Sequence, residues 1–365
     1  MRRFLIGLLA VGGRTIPNVR VGYETYGKLA DARDNVILVT HFFSGTSHAA
    51  GRYAADEKVP GYWDSIIGKG AAVDTDRFFV IASDTLVNLN TGDPKVVTTG
   101  PASLDPSTGK PWGMRFPVVT IRDFVEVQKA LLESLGIRKL HAVMGASMGA
   151  LQAIEWASSY PDRVERVVPV IGAGEADPFL VGWLNVWAQP ILLDPDWNGG
   201  DYYDRRPPLA GLTAALKTVT LHARYHEWAE ATFGRAWAED GKDPAKAFAH
   251  KYKIEAALDA AAAARAQVAD ANHFLYLVKA NQTFMAGADR SLEERLKAIE
   301  AEVLLVPSKD DLVFLPPKVE ATRRLIAVDG TPAEIVWLDG TQGHVDGISP
   351  TIGQAAERIK AFLER

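Results

Sequence analysis

The chain has 365 residues, of which 47% are hydrophobic and 23% charged, with a formal net charge of −5 and no cysteine. It is long enough for one large α/β domain carrying an insertion, or for two ordinary domains. The acidic balance argues against general nucleic-acid binding, and the lack of thiols excludes disulfides, thiolate metal sites and cysteine nucleophiles. Arg2-Arg3 before the apolar run Phe4 to Val11 imitates a signal peptide, but no small-residue cleavage site stands clear of the next strand. The flanks of Gly12-Gly13 instead predict a hairpin of two edge strands, the second running from Arg14 to Tyr26. No apolar stretch is long enough to cross a membrane, and a cytoplasmic location is the expectation.

Asn35 to Thr40 reads as a buried strand, ending in the loop His41-Phe42-Phe43-Ser44-Gly45. Phe78 to Ser83 is a further strand, followed by a loop rich in Gly, Pro, Thr and Asn from about Asn88 to Pro117. Thr120 to Leu132 has helical spacing, with Gly136 just beyond. Strands are also predicted at Leu140 to Val143 and Val164 to Ile171, with a helix over Ala150 to Ala157 between them. Strands alternating with helices predict an α/β fold with a mostly parallel, doubly wound sheet. From about Ala176 to Glu300 the pattern changes to helices and loops, with five of the nine tryptophans and an alanine-rich helix from Ile254 to Ala271. Strands resume at Val303 to Pro307 and Ala333 to Leu338. The expected organisation is therefore a core over residues 1–175 and 301–365, with a helical lid over 176–300.

Gly145-Ala146-Ser147-Met148-Gly149 fits G-x-S-x-G between a predicted strand and a predicted helix. That is the setting of a nucleophile elbow, in which a sharp turn raises the serine at a helix N-terminus, and it points to an α/β-hydrolase fold. Ser147 is the candidate nucleophile. A serine needs a base, and the base an acid, in the chain order Ser, Asp/Glu, His. His344 lies just past a predicted strand, whereas His273 falls inside a periodic helix and reads as a lid residue. The acid comes from Asp310-Asp311 after the preceding strand; Asp311 is the choice and Asp310 its rival. Oxyanion donors are expected from the backbone of Met148, directly after the nucleophile, and of Phe43 in the early loop.

With these pieces placed, the chain resembles the homoserine O-acetyltransferase family over almost its whole length. The resemblance rests on Val21-Gly22-Tyr23-Glu24-Thr25-Tyr26-Gly27, Asp74 to Ile81, Thr99-Gly100-Pro101, Asp105 to Pro111, Phe116 to Asp123, the elbow, Tyr160 to Val164 and Asp270-Ala271-Asn272. It implies a Ser147–Asp311–His344 triad, the acid standing five residues beyond Val306, together with an acyl-enzyme on Ser147 and a homodimer built through the lid helices. It implies no metal and no cofactor, with acetyl-CoA as acyl donor if the protein is a transferase.

Three positions depart from the family. Leu216 stands where acetylating members carry a lid arginine for the substrate carboxylate. Val345 replaces an aspartate placed for the substrate ammonium, and Val87 to Asp93 replaces a Gly-Gly-Cys run. A zwitterion would lose both charged partners, and Phe42 adds apolar bulk, so Phe42, Leu216 and Val345 are expected to line a pocket for short uncharged acyl esters. On these grounds the preferred expectation is a serine esterase that uses water as acyl acceptor. The alternative is a homoserine O-acetyltransferase or related acyl-CoA-dependent O-acyltransferase, with Lys217 or Arg224 replacing the missing arginine. A catalytically silent binding protein is the third reading, opposed by the complete Ser, Asp, His order.

Overall fold

The computed structural model describes residues 2–11, 14–287 and 290–365. The expected turn at Gly12-Gly13 lies outside these residues. In chain order come β1 (Arg2–Val11), β2 (Arg14–Tyr26), β3 (Val36–Thr40), β4 (Ile67–Gly68), β5 (Val73–Asp74) and β6 (Phe79–Ser83). Then follow α1 (Ile121–Ser134), β7 (Ala142–Ala146), α2 (Met148–Ser159) and β8 (Arg166–Val170). The helices α3 (Pro178–Leu192), α4 (Leu209–His222), α5 (His226–Phe233), α6 (Lys253–Ala266), α7 (Ala271–Gln282) and α8 (Leu292–Lys297) come next. The chain closes with β9 (Glu302–Leu305), α9 (Pro316–Ala327), β10 (Ala333–Ile335) and α10 (Ala356–Leu363).

Eight strands form one sheet in the order β1-β2-β6-β3-β7-β8-β9-β10. The pairs β1/β2 and β2/β6 are antiparallel and the remaining pairs parallel. Only β1 is an edge at this end; β2 lies inside the sheet, because its second half, Tyr23 to Tyr26, pairs with β6. The short parallel pair β4/β5 stands apart; two-residue strands leave no periodicity for a sequence reading to detect.

The central strands are apolar without interruption because both of their faces are covered. Along β3, Val36 and Leu38 enter one core while Ile37 and Val39 enter the other. Between β8 and β9 the described chain adds no strand to the sheet, and these inserted helices pack through Leu180, Leu184, Leu212, Leu216 and Phe274. Their starts are written in the sequence. Asp177 accepts from the N–H of Leu180 at 2.8 Å ahead of Pro178, and Asp270 accepts from that of His273 at 2.9 Å. The alanine-rich helix expected to reach Ala271 is divided: α6 stops at Ala266, and α7 starts afresh behind the Asp270 cap.

Candidate active site

Ser147 sits between β7 and α2 with φ 56° and ψ −120°, a conformation costly for any residue with a side chain. The surroundings hold it there. A Cβ on Gly145 would lie 2.1 Å from Thr40 Oγ1, and one on Gly149 would lie 2.1 Å from Thr40 O. The two glycines of the motif are therefore required by contact with the end of β3, not merely by the turn. Thr40 Oγ1 lies 2.8 Å from Gly149 O and 3.1 Å from Met144 O, and the Ser147 N–H donates to Val170 O at 2.9 Å.

The Ser147 hydroxyl lies 2.8 Å from His344 Nε2, and His344 Nδ1 lies 2.8 Å from Asp311 Oδ2. With Nδ1 protonated and donating to the carboxylate, Nε2 is free to accept the serine proton. The other oxygen of Asp311 accepts from the N–H groups of Val313 at 2.7 Å and Phe314 at 3.0 Å, which fixes the carboxylate in a fully buried position. The structure brings Asp311 to His344; Asp310 is half-buried and makes no hydrogen bond to that ring. His344 belongs to a short 3-10 helix, Gly343–Ile348, rather than to the open loop expected.

Phe43, in the loop after β3, lines one cavity with Ser147, and Met148 is the first residue of α2. Among the described residues neither backbone N–H has a protein acceptor. The loop that carries Phe43 is fastened from several sides. Asn88 Nδ2 donates to Gly45 O at 3.0 Å and approaches His41 Nε2 at 3.2 Å, and Asn90 Nδ2 donates to Ser44 O at 3.1 Å. The Ser47 N–H donates to Asp84 Oδ1 at 2.8 Å. The Phe43 ring packs edge-on against Trp187 and Phe274, with centroids 5.7 Å and 5.2 Å away. His41 Nδ1 donates to Phe42 O at 2.8 Å, and burial lowers the His41 pKa to about 4, so the ring is neutral and accepts from Asn88. His273, from α7, is the next support: its Nε2 accepts from the Ala102 N–H at 3.1 Å and its Nδ1 donates to Asn88 O at 2.8 Å. Sequence reasoning missed this role of Asn88 and Asn90. Their only signal was that they fall within the segment that departs from the family pattern.

A cavity of about 200 Å3 opens on Ser147 and His344. Phe42 and Val345 line it. Leu216 does not. It is fully buried among the inserted helices, and the cavity is lined instead by Val219 and Thr220 of α4, one turn further on, and by Ala223 just past its end. Lys217 is also elsewhere: its ammonium pairs with Asp259 at 2.5 Å. Arg224, just after α4, does line the cavity, and so does Arg265 from the alanine-rich helix, a residue the sequence reading did not single out. Arg224 bonds Gln342 through Nη1 and lies over the Trp228 ring, while its buried Nε has no partner among the described residues.

The chain matches the alpha/beta hydrolase fold family over residues 59–344. It is 39% identical to the homoserine O-acetyltransferase of Symbiobacterium thermophilum, an alignment covering 98% of this chain and 92% of that protein. The chain belongs to the homoserine O-acetyltransferase family of α/β-hydrolases. Among solved structures, the homoserine O-acetyltransferase from Bacillus anthracis superposes with a TM-score of 0.95 at 35% identity, covering 100% of this chain and 97% of that one. The protein named esterase E22 superposes with a TM-score of 0.94 at 48% identity, covering 99% of both chains.

Membership corrects the preference for an esterase. Three homoserine O-acetyltransferases match nearly the whole chain at 39%, 40% and 36% identity and favour the acyltransferase. The physical reason lies in the cavity wall. The esterase preference assumed that Leu216 had removed the pocket's positive charge, yet Leu216 is not in the wall and Arg224 and Arg265 are. Among the described residues no cluster of His, Cys, Asp or Glu is arranged to hold a metal ion, and no helix is long and apolar enough to cross a membrane.

Proposed function

We propose that the protein is an O-acyltransferase that moves the acetyl group of acetyl-CoA to the side-chain hydroxyl of homoserine through an acyl-enzyme on Ser147. The observation that carries this reading is the Ser147–His344–Asp311 chain of hydrogen bonds opening on a small cavity whose wall carries the Arg224 guanidinium. The full-length likeness to homoserine O-acetyltransferases supports the same reaction.

In the first half, Ser147 Oγ attacks the thioester carbonyl while His344 Nε2 takes its proton. The oxyanion is met by the N–H groups of Phe43 and Met148, and the CoA thiol leaves with the proton held on His344. In the second half, the homoserine hydroxyl gives its proton to His344 and attacks the acetyl-serine, which frees Ser147 and releases the acetyl ester. Asp311 keeps His344 in one tautomer throughout and balances the imidazolium charge. Acetyl-CoA enters as a substrate, and no step calls for a cofactor. A transferase has to hold its acceptor well enough to outcompete water at about 55 M, and a cation in the cavity wall provides the anchor.

Two further features belong to this reading. The helices between β8 and β9 act as a lid over residues 176–300, and the protein pairs with a second copy through α3. Phe179 and Val186 of α3 and Leu193 just past its end recur every seven residues, 58%, 47% and 77% exposed. Use of acetyl-CoA agrees with the cytoplasmic location expected from the sequence. The test is to incubate the protein with acetyl-CoA and L-homoserine, following free thiol with a disulfide reagent and product by mass spectrometry. O-acetylhomoserine should form in step with the thiol and vanish in Ser147→Ala. Thiol release that ignores homoserine and yields only acetate would overturn the proposal.

A further inference from the structure

Lys217 of α4 and Lys251, just before α6, share Asp259 at 2.5 Å and 2.7 Å. Arg265 and Arg224 differ from these two lysines. Neither has an ion-pair partner among the described residues, and no aspartate or glutamate is found among the residues lining the cavity they share.

Arg265 is nevertheless held. Its Nη1 donates to Thr220 Oγ1 at 2.8 Å, and the same hydroxyl spends its own proton on Leu216 O at 2.7 Å. Thr220 therefore acts as an oriented acceptor that turns the guanidinium across α4 toward the cavity. One of five N–H donors is used in this way, which leaves the planar fork free for a ligand oxygen pair. Burial disfavours the charged form of both arginines, with Asp346 opposing it for Arg224, and desolvated guanidinium groups without an ion-pair partner are costly to keep unless an anion joins them.

Resting on the acyltransferase reading, we infer that Arg265 and Arg224 form a two-guanidinium subsite for the carboxylate of the acceptor alcohol. The wall offers that carboxylate two cations and offers an ammonium no acid, so the acceptor class is hydroxy carboxylic acids, with or without an amino group. Position 216, buried one turn away, has no part in the selection.

The inference is tested first by inhibition of p-nitrophenyl acetate cleavage, which needs no acceptor. Butyrate should inhibit at least tenfold more tightly than butyramide in the unmodified protein. Arg265→Met should bring that ratio near one, and Arg265→Lys should keep part of it. A residue that only fastened α6 to α4 would move both inhibition constants together and leave their ratio, which would overturn the assignment. The second arm compares acceptors with acetyl-CoA as donor: L-homoserine and 4-hydroxybutyrate should be used within a few-fold of each other, and homoserinol at least tenfold less well. Equal use of homoserinol sinks the proposal, and so does an Arg265→Met variant that raises KM for acetyl-CoA alone, since the anion would then be a donor phosphate. The wild-type comparisons stand even if the variants fail to fold. Absence of transfer to any alcohol, with the butyrate preference intact, would count against the acyltransferase reading and not against the subsite.

Discussion

Thr40 shows how few atoms hold the nucleophile in place. Its carbonyl leaves no room for a side chain at Gly149, its hydroxyl leaves none at Gly145, and Ser147 between them keeps a positive φ. The acid is selected by equally local contacts, since only Asp311 combines two backbone donors on one oxygen with His344 on the other. Asp311→Asn should lower turnover by on the order of a thousandfold or more, because the amide no longer fixes the tautomer or balances the imidazolium. Asp310→Asn should cost less than tenfold; the two are compared as kcat/KM on one ester, with circular dichroism to verify folding. At the wall, Val345→Asp should add the missing acid beside His344. Selectivity for L-homoserine over 4-hydroxybutyrate should rise on the order of tenfold, read as a ratio of kcat/KM values in direct competition. An unchanged ratio would mean that the amino group lies on another side of the acceptor.

The inserted helices are fastened to the core by contacts that chemistry can test one element at a time. His222, the last residue of α4, stacks on Trp183 of α3 with centroids 4.1 Å apart and bonds Leu312 O at 3.2 Å. Burial, with His344 as a nearby second cause, lowers its pKa to about 4. The sign follows from the folded value lying below the unfolded one, near 6.5. The stability this group confers is complete above pH 6.5 and drains away as pH falls toward 4, by about 3 kcal/mol at the lower end. Asp84 opposes this in the same range, because burial pushes its carboxyl up to about 7 and the native state keeps a proton the unfolded chain has lost. The useful quantity is therefore the difference between proteins. His222→Gln, whose amide can still donate to Leu312 O, should lose less stability than wild type between pH 6.5 and 4 in urea titrations. Asn88→Ala addresses the loop that carries Phe43, and should lower kcat by about ten- to a hundredfold with a smaller effect on KM, as the loop loses its tie to Gly45.

At the scale of the whole molecule, the sheet and the inserted helices meet so that groups distant in the chain share one cavity. β3 contributes the Phe43 loop, β7 and α2 the serine, the segments after β9 and β10 the acid and base, and α4 and α6 the wall. The outer face of α3 is left with an apolar stripe that burial against a second copy would cover. Val186→Lys with Leu193→Lys should halve the mass measured by light scattering while leaving the fold intact. A wild-type protein already monomeric at micromolar concentration would refute the pairing.

The amino-acid sequence by itself determined what depends on neighbours in the chain. Both-faced apolar runs specify buried parallel strands, the Gly145 and Gly149 spacing specifies the elbow, and the order of Ser147, Asp311 and His344 points to the groups that meet there. It did not reveal β4 and β5, too short for periodicity, or the break of the alanine-rich segment at Asp270, whose cap outweighs the helix propensity around it. Nor did it reveal which side chains line the cavity, because facing is set by how α4 and α6 rotate against the sheet. Leu216 stood where a substrate-binding arginine was expected and its helix buried it, while Arg265, one cation among alanines, lines the cavity and bonds Thr220. The acyl chemistry is written in local order, and the charge of the pocket is decided only when the helices pack.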